Sequence, residues 1–462
     1  MDKNKHITII GAGLAGAYLG LLLGKQGYAI EIYEYRSESA QNSYSEGRSY
    51  SITLYYRAIQ ALKKIGIWEK VKDAAVRIDG DITHILGKNT TYDPIEESGK
   101  AVLYAIHRTT LISILLKELK KLKNVRVSFN TRLLTVDKWK KLVYLQNTQT
   151  KKILSLKTEC VIGADGINSV VRSELQRGIH SSAVQEYFNW GYKETYISPK
   201  KAKLLNLPPN TMHHWPAKKT LLIGFPNIDN SFTFMFNLPL SGNDGFESLR
   251  TKEQIKNYLI TNFPDLSPNS DAIARDFLNN PIGKFVTIYC DPWSWEGFLL
   301  LIGDAAHGVI PFYGQGACAA FEDCLILSEC LQQNTDRKIA FEQFFTIRKR
   351  NTDVLAYLSK QNFVELRNKS NKIYYSLRNT TDTLLNRLLP NFWSPPLCRR
   401  IAHDDDPYAD AYARFTRQRR ITKYSGIDAY LQLLAMGISI ALKGKQAAKI
   451  IARKIKININ IL

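Results

Sequence analysis

Two segments about three hundred residues apart place a carboxylate beside glycine-rich turns. The later one spans 299–324. An apolar run at 298–302 ends in Gly303-Asp304, a loop follows through Pro311, Gly314 and Gly316, and a helical pattern begins around Ala319. A strand that delivers a carboxylate and then a helix N-terminus to one place suits a polyol and a ring. The polyol would bond to Asp304, and an electron-rich ring would lie over the N–H groups after Gly316. An ordinary strand–loop–helix with a capping Asp fits this segment equally well when it is taken alone. The earlier segment breaks the tie. A short apolar strand at 6–10 runs into Gly11-Ala12-Gly13-Leu14-Ala15-Gly16, an apolar helix continues through 17–24, and a second strand at 29–33 ends at Glu34. In such a unit Gly11 makes the tight turn and Gly13 lets backbone approach a pyrophosphate. Gly16 lets the helix pack close to the strand, and Glu34 stands where an acid holds a ribose by its hydroxyls. Asp165, in Val161-Ile162-Gly163-Ala164-Asp165-Gly166, ends a third strand-like run. Three acids after three strands suit a large, extended dinucleotide. A flavin, whose reduced ring is anionic, is the candidate for the helix start at Gly316.

These positions need an alternating strand–helix layer to carry them. The first 75 residues alternate in the required way, a Leu/Lys helix is expected at 111–122 and a strand at 125–129, and a helix begins at about Ser169. Between about 184 and 284 short alternating runs such as 221–225 and 232–238, separated by Pro, Asn and Gly, read as an antiparallel sheet. After about 335 the pattern is helical, broken by Pro390, Pro395, Pro396 and Pro407. The expected fold class is α/β: a discontinuous Rossmann-like FAD-binding domain (1–75, 102–180 and 285–335), an inserted antiparallel β-sheet substrate domain (76–101 and 181–284), and a C-terminal helical region (336–462).

With 462 residues, 45% of them hydrophobic, the chain is long enough for two or three cores. Six cysteines (Cys160, Cys290, Cys318, Cys324, Cys330 and Cys398) form no CxxC pair, so neither a metal site nor a disulfide framework is expected, and a reducing, cytoplasmic setting fits. No secretory signal is read at the N-terminus. There is no Ser-His-Asp arrangement, zinc motif or Walker loop, and His307 is expected to cap or pack. The net charge is +21, and from Arg414 onward eleven Lys/Arg face a single acid, Asp428. Residues 429–442 are uncharged. Ala447, Ala448, Ile450, Ile451 and Ile455 then share a helical face opposite Lys445, Lys449, Arg453 and Lys456. Such a basic amphipathic helix suits an anionic membrane surface, or docks on its own domain with a solvated basic face. Nucleic acid is not expected, because no recognised binding motif accompanies the charge.

GAGLAG at 11–16, GADG at 163–166 and GDAAH at 303–307 together resemble the group A FAD-dependent aromatic hydroxylases. GRSYSITL at 47–54, Arg108, GYKE at 191–194, HHWP at 213–216, PFYGQG at 311–316, FEDC at 321–324 and NFVEL at 362–366 resemble the kynurenine 3-monooxygenase family within that group. The resemblance implies FAD as cofactor, NAD(P)H and O2 as co-substrates, and hydroxylation of a small aromatic substrate through a flavin C4a-hydroperoxide. It implies that Glu34 holds the adenosine ribose, Arg108 the pyrophosphate region and Asp304 the ribityl chain. Leu133 would line the adenine side, with Gly316, Ala317 and Cys318 near the isoalloxazine. Ala15, Arg36, Arg48, Asp165, Gly303, Pro311 and Gly314 complete the implied cofactor set. Members of the family hold an amino-acid carboxylate with an Arg and two Tyr, helped by an Asn. Here the Asn is Asn362, the Arg position falls on Asp81, one Tyr falls at Ile95 and the other near Cys398, with Arg77, Tyr92 and Arg399 close by in sequence. With Phe312, these are the expected substrate residues. A carboxylate in place of a bidentate guanidinium reverses the local charge, so an amine-bearing or carboxylate-masked aromatic fits better than kynurenine. Two other readings stay open: a FAD oxidoreductase acting on a lipid or quinone without oxygen insertion, and a non-catalytic flavin-binding protein. The oligomeric state is not legible.

Overall fold

The computed structural model describes residues 5–39, 51–87, 90–95, 102–217, 220–367, 372–434 and 436. It divides into two compact units, residues 1–362 with 402–405, and residues 363–401 with 406–462.

The first unit is built on a six-stranded sheet in the order Ser294–Trp295, Leu299–Leu301, Val161–Gly163, His6–Ile10, Ala29–Tyr33, Val125–Ser128. Its five inner pairings include four parallel ones, and only Ser294–Trp295 runs antiparallel. Helices cover its faces, so the central strands are apolar along their length instead of alternating: Ile7, Ile9, Val161, Ile162, Leu299, Leu300 and Leu301 are wholly buried. Helix α1 (Leu14–Lys25) carries no charge before Lys25, and residues 16–24 are all buried. It packs against α2 (Arg108–Leu119) and α3 (Gly316–Gln333). Helix α3 therefore starts three residues earlier than the pattern around Ala319 suggests. Its first turn, Gly316-Ala317-Cys318, is too small-sided to show an amphipathic period.

The chain between about 182 and 291 supplies five strands, and residues 80–94 two more, to a second, seven-stranded sheet in the order Gly283–Asp291, Ser182–Ile197, Phe232–Pro239, Thr220–Pro226, Thr211–Ala217, Gly80–Thr83, Thr91–Pro94. All its pairings are antiparallel except that of Thr211–Ala217 with Gly80–Thr83. Alternation sends Trp215, Leu222, Phe232, Phe234 and Phe236 to one face, where they form a core with the helices Lys252–Asn262 and Ser270–Asn279. Met212, Phe225 and Met235 take the opposite face. The α/β class and the inserted sheet are as expected from the sequence. A third, three-stranded sheet (Ser51–Leu54, Tyr104–His107 and Val76–Arg77) stands beside them, so the short strand at 76–77 pairs outside the seven-stranded sheet.

In the second unit, the helices Lys372–Leu388 and Tyr408–Tyr424 are tied together by buried Asp382, which accepts from Trp393 Nε1 (3.0 Å) and pairs with Arg419. Among the described residues no helix is long and apolar enough to cross a membrane, and no group of three His, Cys, Asp or Glu side chains is arranged to hold a metal ion. The basic stretch at 445–456 lies outside the described residues.

Candidate functional site

The glycine turn after His6–Ile10 is shaped by contacts that exclude side chains. Gly11 has φ +100°, and a Cβ there would lie 2.5 Å from the Ala164 carbonyl oxygen. At Gly16 a Cβ would fall 1.9 Å from the Gly11 carbonyl oxygen, so α1 rests directly on the turn. The first intrahelical bond of α1 runs from Ala17 N–H to Gly13 O, and no side chain caps the helix. The N–H groups of its first turn thus stay outside the helical ladder and are available to an anion. Arg108, the first residue of α2, brings Nη2 to 3.8 Å from the place a Gly13 Cβ would take.

Glu34 is 2% exposed and lies at the end of Ala29–Tyr33. Its Oε2 accepts from Ala12 N–H (2.8 Å) and its Oε1 from Arg36 N–H (3.0 Å), which fixes the carboxylate against the glycine turn. Gly11, Gly13, Glu34, Arg36, Leu133 and Asp165 line one wall of a cavity of about 880 Å3. Asp165 faces it, but its carboxylate is committed to a helix start: Val170 and Val171 N–H donate to Oδ2 (2.8 and 3.2 Å), and the Ser169 hydroxyl donates to Oδ1. Burial pushes the Asp165 carboxyl up, and these hydrogen bonds oppose the shift.

A second, smaller cavity of about 180 Å3 adjoins the first. Gly13, Arg108, Ala164, Gly166 and Asp304 line both. Ala15, Gly316 and Ala317 form its helix-end wall, with Pro311, Phe312 and Gly314 beside them. Ile223, Phe225 and Met235 face it from the large sheet, and Ser51 to Thr53 from the small one. A Cβ on Gly316 would meet nothing within 4 Å, so the start of α3 opens onto empty space, and no side chain caps that helix either. Asp304 opens into the cavity. Burial pushes its carboxyl up, and the Arg108 guanidinium opposes the shift.

The turn that presents Asp304 is anchored from behind. Asp323, wholly buried, accepts from Gly303 N–H (2.8 Å), its Oδ2 lies 2.6 Å from His307 Nε2, and its Oδ1 accepts from Arg348 Nε (2.7 Å). Glu322 binds Arg348 Nη1 (2.6 Å) and Arg57 Nη1 (2.7 Å), and Arg172 donates to Ala305 O (2.8 Å). His307 packs on Trp293, as its expected structural role requires. The motifs FEDC at 321–324 and GDAAH at 303–307 mark two parts of this hub, but no spacing in the sequence links Asp323 to Arg348, which belongs to a different helix. Gly303 and Gly16 act as backing for the cavities and do not line them. Cys318 does not line them either. Its side chain is 1% exposed in the core, where burial pushes the thiol up to about 11. Arg48 lies outside the described residues.

The residues expected to meet substrate scatter. Phe312 lines the small cavity, and Asn362 Nδ2 donates to Phe312 O (2.7 Å), so Asn362 props that loop. Asp81 lies on Gly80–Thr83 in register with Met212, and therefore on the sheet face that carries Phe225 and Met235. His214 Nε2 is 3.2 Å from Asp81 Oδ1. Ile95 packs into the Met212–Phe225–Met235 cluster, one layer behind the cavity wall. Cys398 belongs to the second unit. Tyr92 is exposed and donates to Asp79 O (3.2 Å), and Arg77 is 3.7 Å from Asp79. The cavity-lining residues Ile223, Phe225 and Met235 were within reach of the sequence through strand alternation, but alternation does not tell which sheet face turns toward the nucleotide layer.

This arrangement fits a flavin dinucleotide. Two uncapped helix N-termini, an acid at the end of Ala29–Tyr33 and a carboxylate beside Gly303 surround two joined cavities, and the Gly11 and Gly16 positions leave no room for a side chain. Comparison with known proteins agrees. Residues 4–336 match the family model described as FAD binding domain. The chain is 33% identical to kynurenine 3-monooxygenase of Salinispora tropica over 425 residues, covering 92% of this chain and 94% of that one. It is 36% identical to the Legionella pneumophila (strain Lens) enzyme of the same name over 363 residues, covering 78% and 80%. Among solved structures, 2-methyl-3-hydroxypyridine-5-carboxylic acid oxygenase shares the fold with a TM-score of 0.64 at 20% identity, covering 80% of this chain and 94% of that one. The p-nitrophenol 4-monooxygenase of Pseudomonas putida does so with 0.63 at 15%, covering 79% and 89%.

Proposed function

Since this chain belongs to the kynurenine 3-monooxygenase family of FAD-dependent aromatic hydroxylases, we propose that it hydroxylates a small aromatic whose side chain does not present a free carboxylate to the protein. The observation that carries this reading is the wall of the small cavity. Ile223, Phe225, Met235 and Phe312 supply an apolar ring-sized surface opposite the uncapped start of α3, and Arg108 is the single cation among its described lining residues. From the first turn of α2 the Arg108 side chain reaches the start of α1, where it serves the cofactor. On the sheet face leading away from the cavity, the ionisable pair is Asp81 with His214, a carboxylate where a clamp would need a guanidinium.

FAD, when bound, supplies electron transfer and oxygen activation. The protein's part is to hold and exclude. Glu34 and the α1 N-terminus fix the adenosine and pyrophosphate end. Asp304 and the start of α3 fix the ribityl and ring end. The apolar sheet face keeps water from the reacting ring. NAD(P)H oxidation by the holoenzyme, measured across a panel of aromatics with product masses, tests the reading. An amine-bearing or carboxylate-masked aromatic should stimulate oxidation strongly and gain one oxygen atom. A flat response to the panel with turnover on quinones would overturn it in favour of an oxidoreductase that inserts no oxygen. Asp81→Arg should shift preference toward free α-carboxylates such as kynurenine.

A peripheral membrane role is a second reading, favoured by the surface of the second unit. Phe392, Tyr424, Tyr430, Leu433 and Met436 are exposed there, along with Arg417, Arg420 and Lys423. Exposed apolar side chains among cations suit an anionic bilayer. Co-sedimentation with phosphatidylserine vesicles should fall on deleting residues after 425, which removes Tyr430, Leu433 and Met436, and undiminished retention by the truncated chain would refute it.

A further inference from the structure

The large cavity has two walls, and the dinucleotide motifs account for one of them. The other is contributed by the seven-stranded sheet: Tyr187, Tyr192 and Glu194 from Ser182–Ile197, with Ile282, Gly283 and Lys284 at the start of Gly283–Asp291. No residue of this second wall belongs to the glycine turn, the acid-ended strands or the helix starts that hold the cofactor. It has a chemistry of its own. Glu194 Oε1 is buried and finds no hydrogen-bond partner among the described residues, although a buried carboxylate oxygen ordinarily has one. Burial alone pushes the Glu194 carboxyl up to about 7. The ionisable groups lining the same cavity are Tyr187 and Tyr192 on its own strand, Lys284 on the neighbouring strand, Arg108 on α2, Asp165 and Asp304 on the nucleotide side, and Tyr33, Glu34, Tyr35, Arg36 and Arg132 toward the adenosine end. Its cross-strand partner on Phe232–Pro239 is Met235, which lines the small cavity and offers no hydrogen bond to Glu194 from its thioether–methyl end.

We propose that this sheet-side wall is the docking site of the nicotinamide reductant, with Glu194 accepting from the carboxamide N–H2 group and Tyr192 and Lys284 flanking the ring and the phosphate-bearing end. The assignment rests on the hydroxylase reading above, which requires a nicotinamide to reach the flavin, and it deepens that reading by giving the reductant a place. Three features support it. The two cavities meet at Gly13, Arg108, Ala164, Gly166 and Asp304, so a flavin held along that boundary has the aromatic compartment on one side and the sheet-side wall on the other. The aromatic compartment is apolar and small, whereas a nicotinamide needs a hydrogen-bond acceptor for its amide and a cation for its phosphates, and the second wall supplies both. Finally, an orphaned acceptor oxygen is the feature that a two-proton amide donor satisfies.

Anaerobic flavin bleaching at increasing NADPH measures the site. Glu194→Gln, which keeps the shape and loses the charge-assisted bond, should raise the half-saturating NADPH concentration about tenfold. In the parent enzyme, NADPH binding should tighten as pH rises through about 7, and this dependence should vanish in the Gln variant. A readout without turnover comes from Ile282→Cys, at a position 42% exposed on the rim. Millimolar NADP+ should slow maleimide labelling of that cysteine severalfold. Unchanged half-saturation in Glu194→Gln together with unprotected labelling at position 282 overturns the proposal. Photoreduced enzyme given O2 and the stimulating aromatic bypasses the reductant altogether. Hydroxylated product in that arm, alongside unchanged NADPH binding, refutes the docking site alone. Absence of product refutes the hydroxylase reading.

Discussion

Asp323→Asn is the sharpest perturbation available, because both of its carboxylate oxygens accept from donors that cannot move away. Oδ1 takes Arg348 Nε at 2.7 Å, and Oδ2 takes Gly303 N–H at 2.8 Å beside His307 Nε2 at 2.6 Å. An amide must turn its NH2 toward one set or the other. His307 can adapt by changing tautomer, but the Gly303 N–H and the Arg348 guanidinium cannot become acceptors. Breaking a buried ion pair by removing one partner costs about 3–5 kcal/mol. Glu322 still holds Arg348 Nη1 at 2.6 Å, which places the expected loss at the lower end, about 3 kcal/mol. Because the lost bond to Gly303 frees the turn that presents Asp304, FAD affinity should fall at least about tenfold in the same variant. Chemical unfolding of the holoenzyme and titration of the apoprotein by flavin fluorescence quenching measure the two effects. Burial resists ionisation of Asp323, but its interactions with His307 and the Arg348 guanidinium and the hydrogen bond from Gly303 outweigh it and hold the carboxyl below its usual range. Its contribution is therefore complete above the ordinary carboxylate pKa of about 4 and is lost as pH falls through the lower folded value, so the parent and variant curves should converge in acid. A variant within about 1 kcal/mol of the parent at pH 7, with unchanged FAD affinity, would refute the hub.

Two further outcomes follow from the same geometry. Gly316→Leu points a side chain into the empty space at the start of α3, so the apoprotein should keep its melting temperature while FAD affinity drops more than about tenfold; calorimetry of apoprotein and flavin titration read the two separately. His213 is wholly buried between His84 Nε2 and Thr211 Oγ1, and burial, with His84 second, lowers it to about 3. A neutral buried His contributes stability that is full above the unfolded pKa of about 6.5 and drains away as pH falls toward 3, about 3–5 kcal/mol in all. Urea midpoints measured between pH 7 and 4 should fall less steeply in His213→Gln than in the parent, and parallel slopes would exclude the assignment.

The nucleotide layer was legible because its determinants are local. Gly11 to Gly16, Glu34 and Gly303-Asp304 each act within a few residues of a strand end, and the structure gathers them around one pair of cavities. What eluded the sequence depends on partners far apart along the chain. Asp323 and Arg348 look like ordinary helix charges until two helices bring them together. Glu194 sits in a strand whose alternation is plain but whose facing cavity is not. Cys318 is one residue from Ala317 and yet turns inward, since neighbouring positions on a helix point about 100° apart. Asp81 was singled out by the resemblance alone, and the structure adds its partner, His214, which no spacing rule connects to it.

The strand Leu299–Leu301 pairs with Val161–Gly163 only after the whole inserted sheet has been made. During synthesis, which runs from the N-terminus, the glycine turn and Glu34 emerge early, but Asp304 and the start of α3 emerge after most of the first unit has left the ribosome. On the proposed assignment, an early nascent chain offers the adenosine end of the site with no counterpart for the flavin ring. That assignment makes cofactor capture a late event, so flavin scarcity would act on a nearly finished first unit that still exposes its apolar cavity wall. Such a unit is the natural substrate for chaperones and proteases, so cellular flavin supply should govern the abundance of this enzyme as well as its activity.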